Sequence, residues 1–220
     1  MATKKGTSSN GANLEDLKFA GHYRKAVKTS IARSASGTKI KTKPYPNLVT
    51  LLTDLNQVGP DGVMRKKLGS PRTIAAKQKP PKGPVGRQTR LPEELKNLGV
   101  TAWIAAVKYE GGATGDNDFH VILANATSAK NAQYMTAEVS GLPAGGPDVA
   151  TLRAARRKLI SLFPGVKLSS SFYKPKSPIK VRVEGSAFFD GDHYAGAAGP
   201  AGMKPQTSWE IHPVSSLDKA

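Results

Sequence analysis

Apolar and polar residues alternate along several short stretches in the second half of the chain. VTAWIAAVKYE, residues 100–110, is rich in β-branched and aromatic residues and stops at the turn-forming run GGATGDND. In DFHVILAN, residues 118–125, Phe119, Val121 and Leu123 share one face, while His120 and Ile122 share the other. AQYMTAEVS, residues 132–140, is a third strand. The period then changes. Leu152, Ala155, Leu159, Leu162 and Phe163 recur at helical spacing, with Asp148 placed to cap the start and Pro164-Gly165 to end it. Ile179, Val181 and Val183 alternate in a fourth strand, and SWEIHPVSSL supplies a fifth.

The predicted order is strand, strand, strand, helix, strand, strand. That order matches a small Greek-key barrel of the OB-fold type, a mainly β domain whose helix plugs one open end. The first half reads differently. A weakly periodic stretch at 13–27 offers Leu14, Leu17, Phe19 and Ala20 to a short helix, and NLVTLLTDLNQV at 47–58 is an apolar patch compatible with a strand or a short helix. GPDG, GSP, KPPKGP and RLP follow, which are turn and polyproline signals. The expected organisation is a disordered basic tail over 1–46, an extended Pro/Gly-rich basic segment over 47–98 and a barrel domain over 99–220.

Charge sharpens this division. The 220 residues carry a formal net charge of +17, and residues 1–98 hold 20 Lys and Arg against 6 Asp and Glu. A basic arm of that kind attracts polyanions, nucleic acid first, then an anionic membrane or an acidic protein. The absence of cysteine excludes disulfides, thiolate metal sites and a cysteine nucleophile. No apolar run suits a signal peptide or a membrane span, so a soluble, cytoplasmic protein with no membrane partner is expected. Nucleotide-binding and hydrolase motifs such as G-x-x-x-x-G-K-[ST] and G-x-S-x-G are also missing.

EGGATGDNDFHVIL, MTAEVSG, VRVEGSAFFDGDHYAGAAGPAG and WEIHPV together resemble a group of uncharacterised bacterial proteins with an OB-fold-like domain. That group reads D-x-D-[FY]-H-x-[VI]-L, then F-F-D-x-x-H, then E-[IL]-H-P-V, and has no assigned activity. The resemblance implies a fold and a site geography over about residues 100–217. Its matching positions here are Asp116, Asp118, His120, Glu138, Asp190, His193, Glu210, His212 and Pro213. The chain departs from the group in a longer Ala/Gly-rich loop before the last strand and in lacking the secretion signal many of its members show.

Three functions are carried forward. The first is non-sequence-specific binding of single- or double-stranded DNA or other nucleic acid. Its contacts would be Arg65, Lys66, Lys67, Arg72, Lys77, Lys79, Lys82, Arg87 and Arg90 in the arm, and Arg153, Arg156, Arg157 and Lys158 on the helix. Phe119, Tyr134 and Phe172 are the stacking candidates, whereas Trp103 and Trp209 read as core. The second is a metal-dependent, phosphodiesterase-like hydrolase or a metal-stabilised domain. Asp118, Asp190, Asp192 and His193 would ligate Mg²⁺, Mn²⁺ or Zn²⁺, with Glu210 or His212 as the catalytic base or a supporting group. The third is an interaction module that docks an acidic protein partner.

Overall fold

The structure, a computed structural model, describes residues 13–21, 24–57, 89–111, 115–128, 132–190 and 198–220. Five of its strands close a barrel: β2 (Asn97–Glu110), β3 (Asp118–Ala124), β4 (Tyr134–Val139), β5 (Ile179–Phe189) and β6 (Trp209–Lys219). A short sixth strand, β1 (Thr42–Tyr45), adds to β2 in parallel. The order around the sheet is β1-β2-β3-β4-β6-β5, and β2 pairs with β5 to close the ring. The barrel pairings are antiparallel except β4 with β6, which is parallel. This is the OB-like barrel expected from the element order.

Alternation explains the core. Val100, Ala102, Ile104, Phe119, Val121, Leu123, Met135, Ala137, Val139, Val181, Val183, Ala187, Phe189, Trp209 and Ile211 meet inside one continuous apolar cluster. A bulge between Ile104 and Ala106 shifts the phase of β2, so that Val107 faces inward while Ala106 packs in a separate outer cluster. Gly185 is required where β5 closes on β6, because a Cβ there would meet the Pro213 carbonyl oxygen at 2.3 Å.

Helix α3 (Val149–Ser161) caps the barrel with Leu152, Ala155 and Leu159, joined by Phe163, as its spacing predicts. Gly165 leaves it at a φ of +76°. Asp148 does not cap it through its side chain. That carboxylate instead accepts from Ile31 N at 3.0 Å and pairs with Arg33, both in the N-terminal segment.

The expected disordered tail and extended segment give way to packed structure wherever residues 13–57 and 89–98 are described. Asn13–Val27 forms no continuous helix, only a 3-10 turn at Leu14–Asp16 and one helical turn, α1 (Lys25–Lys28). The 47–58 patch is helix α2 (Leu48–Gln57), and its Leu48, Leu51, Leu52 and Leu55 enter the main core. These leucines are spaced three, four and seven apart, the stripe of one helix face. No helix among the described residues is long and apolar enough to cross a membrane.

Candidate functional site

The residues that alternate with the core lie on the outer surface of the barrel. Register aligns them across the strands: His120 opposite Lys108 and Glu138, Thr136 opposite Glu210, and Glu210 opposite Phe188. Asp118, His120, Glu138, Asp190, Glu210 and His212 are all buried. Six ionisable groups are thus held out of water on a face that OB-like barrels commonly use for ligands.

The N-terminal segment shares this site. Lys28 Nζ donates to Asp116 Oδ2 at 2.8 Å and lies 5.8 Å from the Phe188 ring centre. The Arg24 guanidinium stacks over the same ring at 4.9 Å and forms a two-pronged pair with Glu94, both contacts at 2.5 Å. Glu94 also accepts from Phe189 N and Leu91 N. This buried pair therefore ties the segment to the end of β5. Breaking such a pair by removing one partner costs about 3–5 kcal/mol.

Electrostatics follows from burial. The carboxyl groups of Asp118, Glu138 and Glu210 are pushed well above their ordinary range, first by desolvation and then by one another's charge and that of Glu110 and Asp190. Burial alone would lower the Lys28 ammonium, but Asp116, Asp190 and Asp118 more than reverse this and raise it. His212 is pushed down by desolvation and then by the cations Lys28 and Arg90, so its imidazole is neutral at pH 7.

One group within the face has the geometry of a ligand set. Single ligand atoms of Glu110, His120 and Glu138 all lie within 4.8 Å of one another. His120 Nδ1 sits 2.6 Å from Glu138 Oε1 and 3.9 Å from Glu110 Oε1. Lys108 pairs with Glu110, and the Phe172 ring meets His120 edge-on at 5.6 Å.

Of the metal ligands expected from sequence, Asp118 and Asp190 reach this face, while Asp192 and His193 lie outside the described residues. Glu210 and His212 arrive as neighbours, with His212 Nδ1 3.6 Å from Glu210 Oε2. Both His212 ring nitrogens are buried with no hydrogen-bond partner among the described residues. Sequence reasoning missed Glu110, Lys108 and Lys28. A signal existed for the first two, because any hairpin joining β2 to β3 across GGATGDND brings the end of one strand beside the start of the other.

The expected phosphate contacts divide into three groups. Arg65, Lys66, Lys67, Arg72, Lys77, Lys79, Lys82 and Arg87 lie outside the described residues. Arg90 and Arg156 are corrected to structural roles. Arg90 donates to the carbonyls of Ala187, Val27 and Ser30. Arg156 is fully buried, stacks on Phe119 and donates to the carbonyls of Leu14, Asn117, Val139 and Ser140. Burial lowers it to about 10, which leaves it charged at neutral pH and unable to reach a phosphate. Arg153, Arg157 and Lys158 stay at the surface, each paired with an acid: Asp16, Glu15 and Asp218. The helix face is therefore largely neutralised.

The stacking candidates are also redistributed. Phe119 and Tyr134 are buried, whereas Phe172 is half-buried. Trp209 belongs to the core as expected, but Trp103 points outward and is half-buried, with Lys180 Nζ 5.7 Å from its ring centre. Lys108 Nζ lies 5.0 Å from the Phe172 ring centre. Trp103 and Phe172 both pack against a small apolar cluster of Ala106, Ile122, Ala124 and Tyr134, as do Ala105, Ala132 and Met203. Compared with protein-family models, curated proteins and solved structures, the chain matches none of them.

Proposed function

We propose that the protein binds single-stranded nucleic acid, without sequence preference, across the outer surface of β2 and β3. The observation that carries this reading is the pair of half-buried rings, Trp103 and Phe172, each with a lysine ammonium over it. An aromatic ring stacks on any base, and a lysine beside it meets the neighbouring phosphate. The net charge of +17 adds long-range attraction. The segment from Val58 to Gln88 contributes eight Lys and Arg against one Asp, so its cations stay in the proposal as phosphate contacts. A cytoplasmic setting suits such a partner.

The test is fluorescence anisotropy of labelled single-stranded DNA and RNA with the full chain and with Trp103→Ala. The expected result is salt-sensitive binding, weakened in the variant by about 1–3 kcal/mol, a loss of roughly fivefold to more than a hundredfold. Lys180→Glu should weaken binding and flatten the salt dependence by roughly one phosphate contact. Equal affinity of parent and Trp103→Ala would overturn the face. Binding to an acidic peptide but to no oligonucleotide would replace the nucleic acid by a protein partner.

A further inference from the structure

We infer that Glu110, His120 and Glu138 form a binding site for one divalent transition-metal ion, Zn²⁺ or Mn²⁺, where β2, β3 and β4 meet. One imidazole nitrogen and two carboxylate oxygens are a donor set both ions accept. Ions of this kind hold such ligands at about 2.0–2.2 Å, which places the ligand atoms roughly 3–3.5 Å apart. The observed separations from His120 Nδ1, 2.6 Å to Glu138 and 3.9 Å to Glu110, fall on either side of that spacing. The two carboxylates come within 4.8 Å of each other, and Lys108, which pairs with Glu110 Oε1, must turn aside for the ion. The strands position the donors: His120 and Glu138 are cross-strand partners in register, and Glu110 ends β2 at the same hairpin.

A second observation points to a ligand independently of the spacing. Glu138 is 5% exposed, and its Oε2 is buried with no hydrogen-bond partner among the described residues. The neighbouring carboxyl is that of Asp118, which lies within hydrogen-bond reach of Glu138 and itself has no donor at Oδ1 among the described residues. A buried carboxylate oxygen left unpaired costs more than the roughly 1–3 kcal/mol of a neutral polar group. A cation beside Glu138 removes that cost. Asp118, within hydrogen-bond reach of Glu138, then supports that ligand without coordinating. Glu110 is half-buried, so the ion keeps an open side towards solvent for water or a phosphate oxygen.

The site stands whether or not a nucleic-acid strand binds the neighbouring rings. Where both hold, the ion turns an acidic end of the face, which repels phosphate, into one that attracts it.

The experiment uses the full chain stripped with a chelator, then titrated calorimetrically with Zn²⁺ and with Mn²⁺, with elemental analysis after desalting. One ion per chain is expected. Proton release is also expected, seen as a dependence of the heat on the buffer, because the His120–Glu138 contact must give up its proton. Glu138→Gln and Glu110→Gln should each weaken binding by about tenfold or more. Asp218→Asn, at the exposed end of β6, should bind as the parent does. Glu110 is half-buried and ends a strand, so its variant keeps the test meaningful if Glu138→Gln fails to fold, and a thermal melt of each variant separates the two cases. No uptake by the parent, or uptake unchanged in folded Glu110→Gln, overturns the site. Neither outcome bears on the Trp103 result, so the two proposals fail separately.

Discussion

The inner and outer faces of β3, β4 and β6 are made from alternate residues of the same three strands, yet opposite physics holds them. Inside, Val121, Leu123, Ala137 and Ile211 need only neighbours of the right volume, and the closed barrel supplies them. Outside, His120, Glu138, Glu210 and His212 are buried as deeply but need partners of the right charge. The cations laid beside this face come from far away in the chain: Lys28 pairs with half-buried Asp116 across 88 residues and Arg24 with buried Glu94 across 70. An apolar face tolerates many packings, whereas a buried charged face tolerates few.

The comparison is broken most severely by removing a cation that the polar regions depend on. Arg156→Met strands the carbonyls of Leu14, Asn117, Val139 and Ser140, and should cost about 3–5 kcal/mol in urea unfolding. A loss below about 1 kcal/mol would mean that water replaces the guanidinium. The inner-face counterpart, Leu123→Ala, should cost about 3 kcal/mol, and its cost should stay constant between pH 5 and 8 because no charge is involved.

Glu210→Gln sharpens the contrast through pH. The folded-state pKa of Glu210 is raised well above 4.5 by burial, then by Asp190, Glu138 and Asp118, against the opposing charge of Lys28. A raised carboxyl binds its proton more tightly in the folded state. Its stabilising contribution is complete below the unfolded value and is lost as pH rises through the folded one. Glutamine mimics the protonated form and does not titrate. The variant should therefore gain on the parent as pH rises above about 4.5, by up to roughly 1.4 kcal/mol per pH unit in the metal-stripped protein. His212 contributes with the opposite sign, since its lowered pKa gives stability above about 6.5 that fades on acidification, but it is common to both proteins. Parallel stability–pH curves for parent and variant would show that Glu210 is charged in the folded protein. The smallest effect belongs to the solvent-exposed pairs: Arg157→Ala should change stability by no more than about 0.5 kcal/mol, and raised salt should shrink even that.

Much of the barrel was readable because its signals are local. Alternation placed Phe119, Val121 and Leu123 inside and His120 outside, and helical spacing placed Ala155, Leu159 and Phe163 against the core. Helix α2 was harder to read, since a short apolar run such as NLVTLLTDL suits a strand or a helix until its leucines find a surface. The candidate site was read in part. The acids and histidines were visible, but their grouping was assigned to loops, and the structure collects them on strands. The arginines misled because sequence does not distinguish a guanidinium turned to solvent from one whose donors are consumed by buried carbonyls. Arg153, Arg156 and Arg157 sit within one helical turn and have different fates.

Sequence alone therefore determined the order of the five barrel strands and the capping helix, most of the barrel residues that face the core and the excess of positive charge in the first half, because periodicity and composition act over a few residues. Tertiary structure decided which charges meet. The N-terminal segment became part of the barrel's outer face, Lys28 reached half-buried Asp116, Arg24 reached buried Glu94, and Glu110 came to His120 and Glu138. The physical reason is that a buried charge is stable only beside its complement. Which complement arrives is set by how the barrel closes and what the rest of the chain lays across it, and no local pattern records that.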